Sequence, residues 1–322
     1  MSEVILNMLP LTQEERQAFL DIAPGIEQLF FPLTPQGCPK GHRDPELLAR
    51  VTVILGFPNP RAEALKAAVN LKWLQAWSAG VDPFLVPGIL RDGAMLTNAV
   101  GAYGQSVSEH MLSMLLSLCK LLPQYRDARY QDSWLDLGPT KSLMGATVLV
   151  LGTGDLGSTF AGMCKALGAH TVGLKRTVGD PIPGFDQLST LSQLDEWLPQ
   201  ADVVTLMLPH TPETIHIMNA HTLSLMKEDA ILLSAGRGTA VDQDALVACL
   251  NTGKLWGVGL DVTDPEPLPG NHPLRDIDRV LITPHVAGGL FRLEITARRM
   301  AAIAQENLRR YLAGQPLKNR VR

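Results

Sequence analysis

Three side chains with complementary chemistry follow three successive apolar segments in the C-terminal third of the chain. Arg237 lies between two glycines, Glu266 lies between two prolines, and His285 follows Thr283-Pro284. A guanidinium binds a carboxylate through paired hydrogen bonds, and an imidazole donates a proton to a developing alkoxide, with a neighbouring carboxylate favouring its charged form. Each residue alone is compatible with a turn or a solvated loop. Together they predict reduction of a small 2-oxo acid, with Arg237 on the substrate carboxylate and His285 as proton donor.

A glycine-rich turn predicts a dinucleotide site. The apolar residues 148–151 lead into Gly152-Thr153-Gly154-Asp155-Leu156-Gly157, which a helical segment over 158–167 and an apolar segment over 170–174 follow. The first glycine allows the turn, the second lets the backbone approach the pyrophosphate, and the third allows close packing of the helix. An ordinary glycine turn is the alternative. Asp155 puts a negative charge in this loop, and we expect it to cap the helix.

The end of the second predicted strand bears on the choice of cofactor. In NAD sites an acidic residue about 20 residues further on binds the ribose 2′-hydroxyl. This chain has Lys175-Arg176-Thr177 there. Two cations and a hydroxyl suit a 2′-phosphate, because a guanidinium binds phosphate through two hydrogen bonds. We predict that NADP(H) is preferred and NAD(H) possible, with a solvated basic strand end as the alternative.

Alternating strands and helices must position these loops. In the second half of the chain, apolar segments predict six strands, at 148–151, 170–174, 202–208, 230–234, 257–262 and 280–283, with helices such as 193–198 and 243–251 between them. This pattern predicts an α/β fold with a doubly wound parallel Rossmann sheet. In such sheets ligands bind beyond the carboxyl ends of the strands. The loops that carry Arg237, Glu266 and His285 are therefore expected to meet the glycine loop at that edge.

A second, smaller α/β domain is predicted in the N-terminal part of the chain. Its strands are expected at 4–9, 50–56, 71–77 and 95–99, its helices at 12–22 and 60–69, and a loop at 32–45. A long apolar helix should run from Ser106 to about Asp132, and a last helix over 294–312 should return to the first domain. The predicted division is 1–98 with 288–322 for the substrate domain and 99–287 for the dinucleotide-binding domain.

Composition limits the other classes of function. The 322 residues are 46% hydrophobic and 19% charged, with a net charge of −4. This balance is typical of a globular protein and argues against nucleic acid or a membrane as partner. The first residues lack the features of a signal peptide, so we expect a cytoplasmic protein. Cys38, Cys119, Cys164 and Cys249 have no metal-ligand spacing and are interpreted as free, mostly buried thiols, and no metal is predicted.

Several longer motifs resemble those of a known family. They are the glycine loop, Leu208-Pro209-His210-Thr211-Pro212-Glu213-Thr214, Gly236-Arg237-Gly238, Leu260-Asp261-Val262 followed by Pro265-Glu266-Pro267-Leu268, and Thr283-Pro284-His285-Val286-Ala287. From about residue 77 to residue 312 the chain resembles the D-isomer-specific 2-hydroxyacid dehydrogenase family. Within that family, Lys175-Arg176-Thr177 resembles the NADPH-using glyoxylate and hydroxypyruvate reductases, which makes those substrates the first expectation.

The resemblance implies roles for particular residues. The catalytic Arg–Glu–His set of the family falls on Arg237, Glu266 and His285. Backbone N–H groups of Ser78, Ala79 and Gly80 would hold the substrate carboxylate, while Pro209 would contact the cofactor and Asp261 its carboxamide. Three residues depart from the family pattern: Ser234 stands where many members have Asn, Asp155 where Arg is frequent, and Lys175 where NAD-dependent members have Asp.

The resemblance also implies an architecture and a partner. The substrate domain would be a flavodoxin-like α/β domain completed by the C-terminal helix, with the Rossmann domain inserted into it. A homodimer would form through the helix that begins near Ser106. Two other functions stay open: a non-catalytic NAD(P)-sensing protein resembling a corepressor, and a dehydrogenase of formate or phosphonate type. Side-chain specificity depends on segments such as 83–93, which carry no recognisable signal.

Overall fold

The computed structural model describes residues 2–31, 44–57, 59–128, 134–289 and 294–322. The chain divides into two compact units, a first unit of Met1–Tyr103 with Leu290–Arg322 and a second unit of Gly104–Gly289. Each unit contains its own parallel sheet, of five and of seven strands, which confirms the predicted α/β fold class. The assignment of a substrate role to 1–98 with 288–322 and a cofactor role to 99–287 remains a prediction.

The first unit contains a flavodoxin-like sheet. Its strands are β1 (Val4–Asn7), β2 (Glu27–Phe30), β3 (Val53–Phe57), β4 (Trp73–Ala76) and β5 (Met95–Thr97), paired in parallel in the order β2-β1-β3-β4-β5, the order of flavodoxin. Strands β1, β3 and β4 are wholly buried, so their apolar residues reveal them in the sequence. Strand β2 was missed because it lies at an edge, is only partly buried and starts with two polar residues.

Some helices of the first unit agree with the predictions from sequence and others do not. Helix α1 (Gln13–Ile22) begins at a capping box between Thr12 and Glu15. The predicted loop at 32–45 lies mostly outside the described residues, and Pro45 begins the short helix α2 (Pro45–Arg50). The predicted helix at 60–69 is wrong in type, because Asn59–Ala67 forms 3₁₀ turns with a non-helical residue inside. Helix α3 (Asp82–Leu85) is short, and α10 (Glu294–Leu312) has the predicted bounds.

Buried amide groups fix the C-terminal helix to the first unit. Asn307 of α10 is fully buried, and its Nδ2 donates to Gln75 Oε1 (2.9 Å) and to the Lys318 carbonyl (3.0 Å). The Lys318 N–H returns a hydrogen bond to Asn307 Oδ1 (2.8 Å), and Thr97 Oγ1 donates to Gln75 Oε1 (2.8 Å). Because an unpaired buried amide is costly, this network specifies one docking position for the helix.

The second unit contains a doubly wound sheet. Its strands are β6 (Thr147–Leu151), β7 (His170–Lys175), β8 (Gln187–Thr190), β9 (Val203–Leu206), β10 (Ile231–Ser234), β11 (Gly257–Leu260) and β12 (Val280–Ile282). They lie in the order β12-β11-β10-β9-β6-β7-β8, with the reversal of a Rossmann sheet between β6 and β9. The predicted number of six is wrong, because Gln187–Thr190 adds a seventh strand. Only one residue of this edge strand is buried, so the sequence has no apolar segment there that would indicate a strand.

The helices of the second unit match their predictions only in part. Helix α9 (Gln243–Asn251) has the predicted bounds, α6 (Asp155–Ala166) begins before its predicted start, α7 (Leu194–Trp197) is shorter than predicted, and α8 (Ala220–Leu225) was not predicted. Instead of one helix from Ser106 to Asp132, the chain forms α4 (Gly104–Cys119) and α5 (Leu122–Ala128). Leu121 between them has a φ of 54°, a left-handed conformation that an α-helix cannot continue through. The predicted end at Asp132 lies outside the described residues.

Three general features complete the fold. Of the helices in the described ranges, none is long and apolar enough to cross a membrane. Within the same ranges, no group of three or more His, Cys, Asp or Glu side chains could hold a metal ion. Cys119, Cys164 and Cys249 are free thiols, and burial raises the pKa of Cys164 to about 12, whereas Cys38 lies outside the described residues.

The unpredicted strand β8 is anchored by Asp186, which should make its stability pH-dependent. Its Oδ2 accepts from Thr171 N (2.9 Å) and its Oδ1 lies 2.6 Å from Lys165 Nζ. The Lys165 ammonium and the Thr171 N–H lower the pKa of Asp186 to about 2. Because the folded-state pKa lies below the unfolded value, this stabilisation is complete near neutral pH and declines as pH falls from about 4 towards 2.

Asp186→Asn is therefore expected to lower the free energy of unfolding by about 1–2 kcal/mol at pH 6. The difference from wild type should shrink to about half of that at pH 3, as measured by urea unfolding. Asp180→Asn, at an exposed residue of the preceding loop, is the control and should change little. A deficit for Asp186→Asn that stayed constant between these pH values would contradict the argument.

Candidate active site

Three loops start side by side at the carboxyl edge of the second sheet. Strand β10 pairs with β11 and β11 pairs with β12, with the last residues Ser234, Leu260 and Ile282 aligned across the three strands. Arg237, Glu266 and His285 lie on the loops that follow. The Arg237 and Glu266 loops are in close contact, because a Cβ added to Gly238 would overlap the Thr263 carbonyl. The topology therefore brings the predicted catalytic loops together.

His285 and Glu266 form a direct pair. Nδ1 of His285 lies 2.8 Å from Oε2 of Glu266, and the other Glu266 oxygen accepts from the Thr263 N–H at 3.2 Å. An ionised carboxylate can only accept, so the imidazole Nδ1 carries the proton of this hydrogen bond. The side chains are 51% and 40% exposed, which leaves Nε2 of His285 as the ring nitrogen for a substrate. Such a pair can orient an imidazole and stabilise its charged form.

Arg237 projects from a turn in which only glycine fits on either side. A Cβ on Gly236 would overlap the Leu208 carbonyl, and one on Gly238 would overlap that of Thr263. The Arg237 guanidinium donates to the Gly236 carbonyl at 2.8 Å and is half-buried. The two glycines therefore allow the loop to pack closely against the Leu208 and Thr263 carbonyls. Arg237 is the one long side chain of this loop. Its planar guanidinium matches a carboxylate in shape and charge.

The glycine loop has the form of a pyrophosphate site. Gly152 has a φ of 101°, and a Cβ on Gly157 would overlap the Gly152 carbonyl, so both positions require glycine. Gly154 is the N-cap of α6 without a side-chain cap, and a Cβ added there would meet nothing within 4 Å. Open space thus lies beside the uncapped N-terminus of α6, and a helix N-terminus is where backbone N–H groups bind phosphate oxygens. The residues present fit a dinucleotide cofactor.

Asp155 does not cap α6, contrary to the expectation from sequence. The N-cap is Gly154, and Asp155 is the first residue of the helix. Its carboxylate lies towards the start of α4, where a Cβ added to Gly104 would be 2.5 Å from Asp155 Oδ1 and 2.8 Å from Thr159 Oγ1. A negative charge beside the N-terminus of α4 is favourable because the helix dipole is positive there. Direct cofactor binding by Asp155 stays a prediction.

The basic end of β7 lies near the loop that follows β9. Lys175 is half-buried, while Arg176 and Thr177 are exposed. Hydrogen bonds from its own N–H and from Thr211 hold the pKa of Glu213 below its usual range, and the nearby Arg176 charge lowers that pKa further. Arg176 therefore lies beside the segment that contains Pro209. Arg176 and Pro209, two residues of the predicted cofactor-binding set, thus follow parallel strands at the same end of the sheet.

The Asp261 carboxylate accepts hydrogen bonds from other residues of the protein. It is 3% exposed, its Oδ1 accepts from Thr283 Oγ1 (2.6 Å) and Val286 N (2.9 Å), and its Oδ2 accepts from Ala287 N (3.0 Å). The hydroxyl of Thr283 in turn lies 3.0 Å from His110 Nε2. The sequence reasoning missed Thr283, although a hydroxyl at a strand end directly before Pro284-His285 is a usable signal. Carboxamide binding by Asp261 remains a prediction.

The predicted carboxylate loop belongs to the first unit. The carbonyl of Ser78 accepts from Ala99 N (3.0 Å), that of Ala79 from Asn98 Nδ2 (2.9 Å), and that of Gly80 from Ser78 Oγ (2.6 Å). These bonds fix the peptide planes of the loop and so the directions of its N–H groups. The Tyr103 hydroxyl donates to the Trp77 carbonyl (2.8 Å), and burial raises the pKa of that phenol.

Comparison with known proteins identifies the family. Residues 112–287 match the family model described as D-isomer specific 2-hydroxyacid dehydrogenase, NAD binding domain. The chain belongs to this family. Its members are NAD(P)-dependent oxidoreductases that act on small 2-hydroxy and 2-oxo acids. The predicted family is therefore confirmed, and with it the reaction class of the protein.

Individual relatives cover most of the chain. The glyoxylate reductase of Thermofilum pendens is 31% identical over 79% of this chain and 76% of that protein. A D-isomer specific 2-hydroxyacid dehydrogenase family protein from Aeromonas salmonicida has a TM-score of 0.83 and 32% identity, covering 100% of this chain and 99% of that one. One from Xanthobacter autotrophicus, crystallised with NADPH and MES, has a TM-score of 0.77 and 29% identity, covering 100% and 98%. Other relatives are D-3-phosphoglycerate dehydrogenases, of whose length this chain spans about half.

Replacing Gly154 or Gly157 by alanine should have different effects on stability and on NADPH affinity. Gly154→Ala meets open space at a φ of −73°, so the melting temperature should stay close to wild type while NADPH affinity falls, because the methyl occupies the approach of the phosphates. Gly157→Ala should lower the melting temperature, since its Cβ overlaps a backbone oxygen. Thermal melts and fluorescence titration with NADPH measure both effects. Equal losses of stability in the two variants would contradict this assignment.

Proposed function

We propose that the protein reduces a small 2-oxo acid, similar to glyoxylate or hydroxypyruvate, to a D-2-hydroxy acid with NADPH. The observation that carries the proposal is the 2.8 Å pair of His285 and Glu266 beside the loop of Arg237, at the edge of the sheet where the glycine loop lies. A guanidinium, a carboxylate and an imidazole supply the charge and the proton that reduction of a carbonyl requires.

Each chain residue then has a defined task. Bound NADPH supplies the hydride for the carbonyl carbon. Arg237 binds the substrate carboxylate and polarises the C2 carbonyl as its oxygen becomes negative. His285 delivers the proton from Nε2 to that oxygen, and Glu266 holds Nδ1 and balances the imidazolium charge before transfer. One hydride and one proton convert the 2-oxo acid and NADPH to the 2-hydroxy acid and NADP⁺.

The substrate carboxylate is proposed to bind the backbone N–H groups of Ser78, Ala79 and Gly80. Their carbonyls accept hydrogen bonds within the first unit, so the peptide planes are held without help from the ligand. A pre-formed set of N–H donors binds an anion without paying the entropy of ordering a loop. Recognition of the carboxylate by backbone atoms leaves the substrate side chain to be chosen by other residues.

The cofactor preference is proposed to be NADP(H) over NAD(H). Lys175, Arg176 and Thr177 end β7 without a carboxylate, and the relative from Xanthobacter autotrophicus was crystallised with NADPH. A 2′-phosphate gains charge-assisted hydrogen bonds from such a cluster, whereas a 2′-hydroxyl does not.

A homodimer through α4 is also proposed. Large apolar side chains are exposed in the segments that follow this helix, with Leu122 at 53%, Trp134 at 104% and Met144 at 74%. A partner subunit that covered these side chains would remove their apolar surface from water. The α4 helix itself is apolar and half-buried at Leu112 and Leu116.

Turnover with a panel of small 2-oxo acids tests the function. We expect NADPH oxidation, followed by its absorbance, with glyoxylate or hydroxypyruvate, and a fall in kcat/KM of ~10²–10⁴-fold for His285→Ala and ~10²–10³-fold for Arg237→Ala. His221→Ala, at a surface histidine paired with Asp195, is the matched control and should keep its activity. Tight NADPH binding without turnover of any 2-oxo acid would instead favour the NAD(P)-sensing function. Turnover of formate or a phosphonate alone would favour a dehydrogenase of formate or phosphonate type.

Replacing Arg176 tests the cofactor preference separately. Arg176→Ala should lower kcat/KM for NADPH by ~10–100-fold, the value of a charge-assisted hydrogen bond to phosphate, and leave that for NADH nearly unchanged. The control is Arg50→Ala, which removes an exposed arginine that pairs with Glu27 in the first unit. If the wild type used NADH more efficiently than NADPH, or if Arg176→Ala reduced both equally, the proposed preference would be wrong.

A further inference from the structure

His285 has an unusual backbone conformation. Its φ is 52°, in the left-handed region that residues with a Cβ rarely adopt. Such a conformation persists only where neighbouring groups hold it. The loop between β12 and the end of the second unit must therefore contain, or contact, a group that fixes the histidine backbone.

Asp261 accepts hydrogen bonds from the N–H groups of three successive loop residues. The His285 N–H donates to the Asp261 carbonyl (2.8 Å), the Val286 N–H to Asp261 Oδ1 (2.9 Å), and the Ala287 N–H to Asp261 Oδ2 (3.0 Å). Both carboxylate oxygens must point at the loop for these bonds to form together. The rotation of the Asp261 side chain therefore determines whether the two N–H groups that follow His285 keep their acceptors, whereas the His285 N–H bonds to the backbone carbonyls of Asp261 and Thr283.

The rotation is set from the opposite side by Thr283. Its Oγ1 donates to Asp261 Oδ1 at 2.6 Å, a short bond typical of a hydroxyl on a carboxylate. Since that proton is used, Thr283 Oγ1 accepts from His110 Nε2 on α4 at 3.0 Å. A continuous chain of hydrogen bonds thus runs from α4 through Thr283 and Asp261 to the N–H groups around His285, all within the second unit.

We propose that Thr283 is a positioning residue for His285, which acts by fixing the Asp261 carboxylate so that it holds the left-handed histidine loop. This inference rests on the proposed function for its kinetic consequence, but the anchoring itself does not depend on it. Without the hydroxyl, Asp261 can rotate, the N–H groups of Val286 and Ala287 lose their acceptors, and the imidazole no longer stays aligned with Glu266. Small misplacements of a catalytic group cost up to about a hundredfold in rate.

Thr283→Val removes the hydroxyl and keeps the shape of the side chain. We expect kcat for the best 2-oxo acid to fall ~10–100-fold. Thr283→Ser should restore most of the rate. Thr205→Val is the matched control, because Thr205 is buried in β9 and its hydroxyl has no hydrogen-bond partner among the described residues. Unchanged kcat in Thr283→Val, or a loss confined to NADPH affinity, would overturn the proposal.

A double-mutant cycle separates positioning from general stability. If Thr283 acts through His285, Thr283→Val should have almost no further effect on the residual rate of His285→Ala. An equal fold-loss in both backgrounds would mean that Thr283 acts independently of the histidine and would overturn the proposal.

Hydrogen exchange tests the anchor without any turnover. Exchange of the Val286 and Ala287 N–H groups should accelerate in Thr283→Val and not in Thr205→Val, with the rest of the sheet unchanged. Unaltered exchange there would overturn the proposal. If the wild type reduced no 2-oxo acid, the proposed function would fail while this measurement still decided whether Thr283 holds the loop.

Discussion

Parallel pairing of β10, β11 and β12 is the constraint on which the candidate site depends. Their last residues, Ser234, Leu260 and Ile282, lie in register, so the next residue of each chain segment leaves the sheet at the same edge. Neighbouring strands are about 5 Å apart, which brings side chains of successive loops within hydrogen-bond reach. The close fit of Gly238 against Thr263 and the pair of His285 with Glu266 are both consequences of this register.

The candidate site contains a buried carboxylate that binds the backbone and half-exposed side chains that a substrate can reach. Asp261 is 3% exposed, and a buried carboxylate is tolerated only where hydrogen bonds replace water, which here come from Thr283, Val286 and Ala287. His285 and Glu266 are about half exposed. Proton transfer requires a side chain that a substrate can reach, whereas orientation requires one that cannot move. The same short segment supplies both, because the buried carboxylate binds backbone atoms and leaves the imidazole outside.

The central strands and the candidate catalytic residues stand out in the sequence for one physical reason. Strands buried on both faces are continuous apolar segments, as in β6 and β10, and the polar residue that follows such a segment is conspicuous. The edge strands β2 and β8 lack this signal, because one side of each faces solvent. The break at Leu121 was also missed, since a leucine with a φ of 54° is held by its surroundings and not by its own preference.

Positioning residues are harder to predict than reacting ones, and Thr283 shows why. In the sequence its place before Pro284-His285 is a signal of position only and does not show what its hydroxyl contacts. The difference from a core threonine such as Thr205 lies in the partners: the Thr205 hydroxyl has none among the described residues, while Thr283 connects α4 to Asp261. Those partners come from residues far apart in sequence, His110 and Asp261, which only the wound sheet brings together. A residue that orients another is therefore recognised only from its tertiary contacts. The possible chemistry of a guanidinium or an imidazole can be recognised from the residue type alone.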